Sequence, residues 1–239
     1  MNLKNYLKLE ILRELKNIYV YLSIILAFIS GSGIIYSIHS LNGPFDETNV
    51  SGLYATISII AMSLFCVKIF SIDFHYQVSQ LILTSKINRI KFIITKILIA
   101  IFISLIFSIG CMLLLKTNSI LNGFDFDFMD IINVIIHNLL FMLFYSAIIL
   151  LLSLIINKIA TLFIVNFILV MVLPSILQKL TAIPKTPEFL KMLIEESPFL
   201  TLPTHLPDLS LSENNIIVIS ISVILLFSFI FVLIPKKDF

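Results

Sequence analysis

The residues able to do chemistry in this chain are few, and most are charged. Lys86, Arg89, Lys91 and Lys96 follow Asp73 and an apolar set at helical spacing, Val78, Leu81, Ile82, Ile87 and Ile90. The chemistry of such a segment is recognition: an apolar stripe wants a protein surface, and the flanking charges fix its orientation. A second group, Asp125, Asp127 and Asp130, alternates with Phe124, Phe126 and Phe128. Carboxylates at that spacing attract a hard cation. The Gly of a calcium loop's sharp turn and its distal Glu are missing, so a solvated acidic loop is expected. His137, beside Asn133 and Asn138, reads as a proton relay or, more simply, a polar helix end. No HExxH, GxSxG, CxxC or P-loop occurs. Catalysis is not expected of this chain, and it binds no ATP through a Walker motif.

The elements that position these residues are membrane spans. The chain has 239 residues, 59% hydrophobic and 13% charged, with mean hydropathy +1.09; soluble domains are far more polar. Apolar runs at about 18–38, 52–72, 92–115, 132–157, 159–180 and 214–235 are each long enough to cross a bilayer. They predict an all-α membrane protein of six transmembrane helices in a single domain, 1–239. Residues 1–17 predict an interfacial helix whose apolar side is interrupted by Glu10 and Glu14. There is no Trp, so Tyr19, Tyr21, Tyr36 and Tyr54 near span ends must supply the aromatic belt. Cys66 and Cys111 fall inside spans and read as buried small hydrophobes. No cleavable signal peptide is expected, because the first apolar run is of spanning length.

Within the spans, Ser23, Ala27 and Gly31 form a small-residue ridge expected at a subunit contact. Ala100, Ser104 and Ser108 form a second ridge. Lys68, one turn from its span's end, is expected to snorkel to the interface. Asn166 and Pro174 in the fifth span are candidate pathway residues, and the Pro predicts a kink. Residues 181–213 hold Pro184, Pro187, Pro198, Pro203 and Pro207. There Thr186-Pro187 predicts a short helix with Thr as cap, its apolar side made of Phe189, Leu190, Leu193 and Ile194.

Charge sets the expected orientation. With the N-terminus inside, the inner segments hold Lys4, Lys8, Arg13, Lys16, Lys68, Lys86, Arg89, Lys91, Lys96, Lys158, Lys236 and Lys237, 12 of the 16 basic residues. Lys116, Lys179, Lys185 and Lys191 are outside, with ten of the 14 acidic residues. Both termini are therefore expected in the cytoplasm, with a cytoplasmic segment at 73–91 and an extracellular one at 181–213. Spans nearly free of carboxylates argue against a proton- or sodium-coupled carrier.

The stretch DFHYQVSQLILTSKINRIKFIITK, Asp73 to Lys96, resembles the loop between the second and third spans of ABC-2 type ABC-transporter permeases. That loop opens on an acidic residue, continues as Gly-Thr-Leu-x-x-Leu-x-Thr/Ser-Pro-x-Ser-Arg, and leads to a Lys that opens the next span. Here Asp73, Ser79, Gln80, Leu81, Leu83, Thr84, Ser85, Arg89 and Lys96 stand in that order. Val78 replaces the Gly, Lys86 the Pro and Asn88 the Ser. The resemblance implies the ABC-2 (type V exporter) architecture, with short helices outside the membrane before the last span. It implies ATPase coupling through Asp73, Val78, Gln80, Leu81, Ile82, Thr84, Ser85 and Arg89. It further implies a cytoplasmic ABC ATPase partner that holds ATP and magnesium, no cofactor on this chain, and a second permease copy or homologous permease. The bilayer is the remaining partner, and nucleic acid is not one. Short permeases of this kind resemble phenol-soluble modulin exporters and lantibiotic immunity permeases of bacterial cell membranes, which handle amphipathic peptides. A secondary carrier and a non-transporting membrane sensor or scaffold are the rival classes.

The orientation is checked by cysteine labelling. Cysteines placed at Asn49 and Asp208 should react with an impermeant reagent added outside, and one at Asn88 should not. External labelling at Asn88 would reverse the topology.

Overall fold

The computed structural model describes residues 3–75, 86–156 and 158–234, and every regular element in them is helical. In order these are α1 (Leu3–Leu15), α2 (Ile18–Leu41), α3 (Glu47–His75), α4 (Lys86–Asn122) and α5 (Phe128–Ser153), then α6 (Ile159–Phe167), α7 (Leu173–Ala182), α8 (Glu188–Glu195), α9 (Pro198–His205) and α10 (Glu213–Leu233). One turn of π-helix, Ile168–Val172, joins α6 to α7. Among the described residues, six stretches are long and apolar enough to span a bilayer: Ile18–Leu41, Thr48–Phe70, Asn88–Asn122, Phe128–Ser153, Ile159–Ala182 and Glu213–Leu233. Helices suit this because each pairs its backbone polar groups internally, where lipid offers none. The chain is an all-α protein with the architecture of a multi-pass membrane protein.

Three spans form the centre. Of the most apolar windows of α3, α4 and α5, 67%, 50% and 67% are buried, against 22% for α2, for α6 with α7, and for α10. The rim helices thus carry most of the lipid-facing surface. Tyr54 of α3 ties the centre together by donating its hydroxyl to Phe107 O of α4 at 2.7 Å. Gly110 lies one turn on, and a Cβ there would strike the Tyr54 hydroxyl. The ridge Ala100, Ser104 and Ser108 is buried, and Asn138 Nδ2 of α5 donates to Ser108 Oγ at 3.2 Å. In the other ridge Ala27 and Gly31 are buried, with Leu114 of α4 closing over Gly31. The chain therefore fills that part of the ridge itself. Ser23, half-buried, donates to Tyr19 O and Val20 O of its own helix.

Helix boundaries depart from the hydropathy reading where caps decide them. α4 has 37 residues, about 55 Å at 1.5 Å per residue, well over the roughly 30 Å of bilayer hydrocarbon. It runs on to Asn122 and stops at Gly123, whose φ of 75° favours glycine. The acidic loop expected over 116–131 shrinks to 123–127. Asp127 and Asp130 form a capping box at the start of α5, Asp127 N donating to Asp130 Oδ2 at 2.8 Å. Asp46 caps α3 in the same way. The Thr48 hydroxyl at 2.6 Å and Asn49 N at 3.1 Å both donate to it, which holds its carboxyl below the usual range.

The segment before the last span also differs. Thr186 does not cap the helix that follows; its hydroxyl donates to Leu180 O at 2.8 Å, closing the end of α7, and Pro187 takes the cap position of α8. Phe189, Leu190 and Leu193 on α8 are exposed. α9, by contrast, enters the bundle. Leu200, Thr201 and Leu202 are buried, and Phe199 meets the Phe144 ring edge-on, 5.1 Å between centroids. His137 proves to be a structural tie. Its Nδ1 donates to Asn133 O at 2.6 Å, and its Nε2 accepts from Leu211 N at 3.1 Å, so the neutral imidazole pins the loop after α9 to α5.

Overpacking at the crossing of α3 and α4 is testable. Gly110→Ala should destabilise the fold by about 1–3 kcal/mol, read as a lower melting temperature in detergent. Adding Tyr54→Phe, which deletes the obstructing oxygen, should cost less than the two single changes summed. Strict additivity would mean that the two residues do not touch.

Candidate functional site

α1 is built from good helix formers, and Glu10 and Glu14, four residues apart, share one face of it. That face turns into the protein. The two carboxylate side chains are 8% and 0% exposed, while Leu9, Leu12 and Leu15 point outward. The acidic interruption of the apolar side is thus the docking surface. Opposite it stand two lysines from the central spans. Lys96 of α4 is fully buried, its Nζ 2.9 Å from Glu10 Oε2. Lys68 of α3 places Nζ 2.7 Å from Glu14 Oε2.

The network has further members. Arg13 reaches Glu10 Oε2 at 2.7 Å and Glu14 Oε1 at 3.5 Å. Asn17 Nδ2 donates to Glu14 Oε2 at 3.3 Å. Each lysine ammonium also lies over a ring of its own helix, Lys68 over Phe65 at 5.8 Å and Lys96 over Phe92 at 5.3 Å. Charges at such depth persist because each has an opposite partner; removing one partner strands the other at a cost of several kcal/mol. The Lys68 expected to snorkel ends on the Glu14 carboxylate, with 24% of its side chain still exposed.

The network clasps α1 to α3 seven residues before its end at His75 and to α4 ten residues after its start at Lys86. Of the residues expected to couple to an ATPase, Val78, Gln80, Leu81, Ile82, Thr84 and Ser85 lie outside the described residues. Asp73 falls on α3. Arg89, on the first turn of α4, extends Nη1 to Ile234 O at 3.4 Å, linking the end of α10 to the same region.

The candidate pathway residues lie on span five. Leu162, Asn166, Val170 and Pro174 make a buried stripe at spacing four. Neither amide atom of Asn166 has a hydrogen-bond partner among the described residues. Ahead of Pro174 stands the π turn, where Leu173 N reaches back five residues to Ile168 O, and Pro174 falls in the first turn of α7. A proline is tolerated there because its missing N–H is not needed. Beside it a cavity of about 190 Å³ is lined by Thr56, Ile59, Pro174, Gln178, Pro203 and Thr204. A larger apolar groove of about 420 Å³ opens between spans one, two and five, lined by Tyr19, Ser23, Leu26, Leu64, Phe163 and Lys68.

Sequence reasoning missed the clasp. Its signal was nonetheless present: two acids at i, i+4 on a helix otherwise fit to lie in lipid, and two lysines inside apolar spans. Set against models of known families and against curated proteins, the chain matches none. Fold and site together define a multi-pass, all-helical membrane protein whose first helix is ion-paired to two of its spans.

The clasp is tested by a charge-removal cycle. Glu14→Leu alone should destabilise by about 3 kcal/mol or more, and Glu14→Leu with Lys68→Met should recover most of that loss. Thermal unfolding in nanodiscs reads both. Equal melting of the single and double variants would mean that the pair is not formed.

Proposed function

We propose that this chain is the permease subunit of an ATP-driven ABC exporter of the ABC-2 type, working in a bacterial cell membrane with both termini in the cytoplasm. The observation that carries the reading is the ion-pair clasp, which joins α1 to α3 and α4 two to three turns inside the ends that bracket residues 76–85. A push delivered to that segment by a closing ATPase would reach both central spans together, because α1 binds them to each other. The order Asp73, Leu81, Thr84, Ser85, Arg89, Lys96 supports an ATPase-docking segment there. ATP and magnesium belong to the separate ATPase subunit; this chain converts its motion. A second permease, identical or homologous, completes the path. The groove between spans one, two and five, almost wholly apolar, supports an amphipathic peptide or other hydrophobic cargo.

Leu81→Asp tests the reading. The variant should insert and fold normally while losing ATPase co-purification and nucleotide-dependent export. A variant that keeps its ATPase at normal stoichiometry and still exports removes this segment as the docking site. A wild-type chain that moves cargo with no ATPase present makes it a carrier, and one that moves none under any condition makes it a sensor or scaffold.

A further inference from the structure

We propose that the groove between α4 and α5, at the end of the bundle remote from α1, holds a zwitterionic phospholipid with a primary amine headgroup. The groove has a volume of about 480 Å³ and is lined by Ile109, Leu113, Ile131, Lys116, Asp127 and Phe128. Its polar groups are ordered by depth. Lys116 precedes the end of α4 at Asn122 by six residues, which puts its Cα about 9 Å below that end. Asp127 immediately precedes α5, and the 123–127 loop keeps the two helix ends at similar height. From the middle of the bundle outward the wall therefore runs from alkyl side chains to a cation and then to a carboxylate. An amine phospholipid presents the complementary order, acyl chain, phosphate, ammonium.

The charges select within the phospholipids. Lys116 makes no ion pair among the described residues, and an ammonium near the hydrocarbon boundary binds a phosphate well. Asp127, with Asp125 and Asp130 on either side, makes the mouth acidic. That field disfavours a headgroup of net negative charge and favours one that brings its own cation. A trimethylated ammonium offers no N–H to the carboxylate, so a primary amine fits best. Phe128, 75% exposed at the mouth, stands where an aromatic ring meets the headgroup region. The site is independent of the transport reading and of which end of the bundle faces out.

The experiment is lipid retention. Full-length protein is reconstituted with equal parts phosphatidylethanolamine, phosphatidylglycerol and phosphatidylcholine of matched chains, stripped with mild detergent, and its bound lipid quantified by mass spectrometry. Wild type should keep phosphatidylethanolamine over each of the others by about threefold, the factor one exposed ion pair supplies. Lys116→Gln should lower retention of all three. Asp127→Asn, which keeps a good helix cap, should erase the preference for the amine and leave phosphate binding intact. Retention in proportion to supply, or both variants behaving as wild type, overturns the proposal. So does a change of oligomeric state in Lys116→Gln with retained lipid unaltered, which assigns the groove to a second copy.

Discussion

Two carboxylates turned inward from a helix whose leucines face out hold one end of this bundle together. The attraction between Glu14 and Lys68, and between Glu10 and Lys96, acts where little water intervenes, so it is strong and also obligatory: either partner alone would be a stranded charge. The partners are 54 and 86 residues apart in the chain. α1 therefore has no docking site until spans two and three are both in place. Its attachment reports that the centre of the protein has assembled, and it fixes α3 and α4 relative to one another.

Around that centre the structure is graded. α3, α4 and α5 interlock through buried hydroxyls, Asn138 and the Tyr54–Phe107 bond, where small residues allow helices to touch closely. The rim spans are held along one side only. α9 adds a wedge from the far end, with Phe199 set against Phe144 and the following loop fastened by His137. α1 is thus held by ion pairs, and α9 and the loop after it by an edge-on ring contact and a neutral hydrogen bond. Each suits its depth, since charges survive only with partners whereas rings need none.

How much was legible in the sequence follows the range of the interaction involved. Spans were readable because burial in lipid is a property of each residue taken singly, so a window of hydropathy registers it. Ends were readable less well. Lys116 and Asn118 look like loop to a hydropathy window, yet α4 continues through them because a helix stops at its cap, here Gly123, and not where the hydrocarbon ends. Thr186 and Pro187 were rightly read as a helix boundary, but the hydroxyl serves the helix behind it and not the one ahead; type and spacing do not encode that choice. The clasp was hidden because α1 was judged by its own amphipathicity. The acids that spoil its apolar face are explained only by lysines on two distant spans. The docking proposed for Val78 to Ser85 rests on motif order.

The π turn in span five sets the helical phase of everything beyond it. In a regular α-helix every fourth residue drifts by about 40°, so three such steps would carry Pro174 some 120° away from Leu162. Yet Leu162, Asn166, Val170 and Pro174 all lie on buried positions, because the extra residue in the wide turn winds the drift back. Span five is in effect two helical segments sharing a seam, and the turn between them works as a vernier. Its composition is free to vary among apolar side chains, but its length is not. Taking out one residue would rebuild a regular helix and swing α7 by about 100°, carrying Pro174 out of the cavity it shares with α9 and into the lipid.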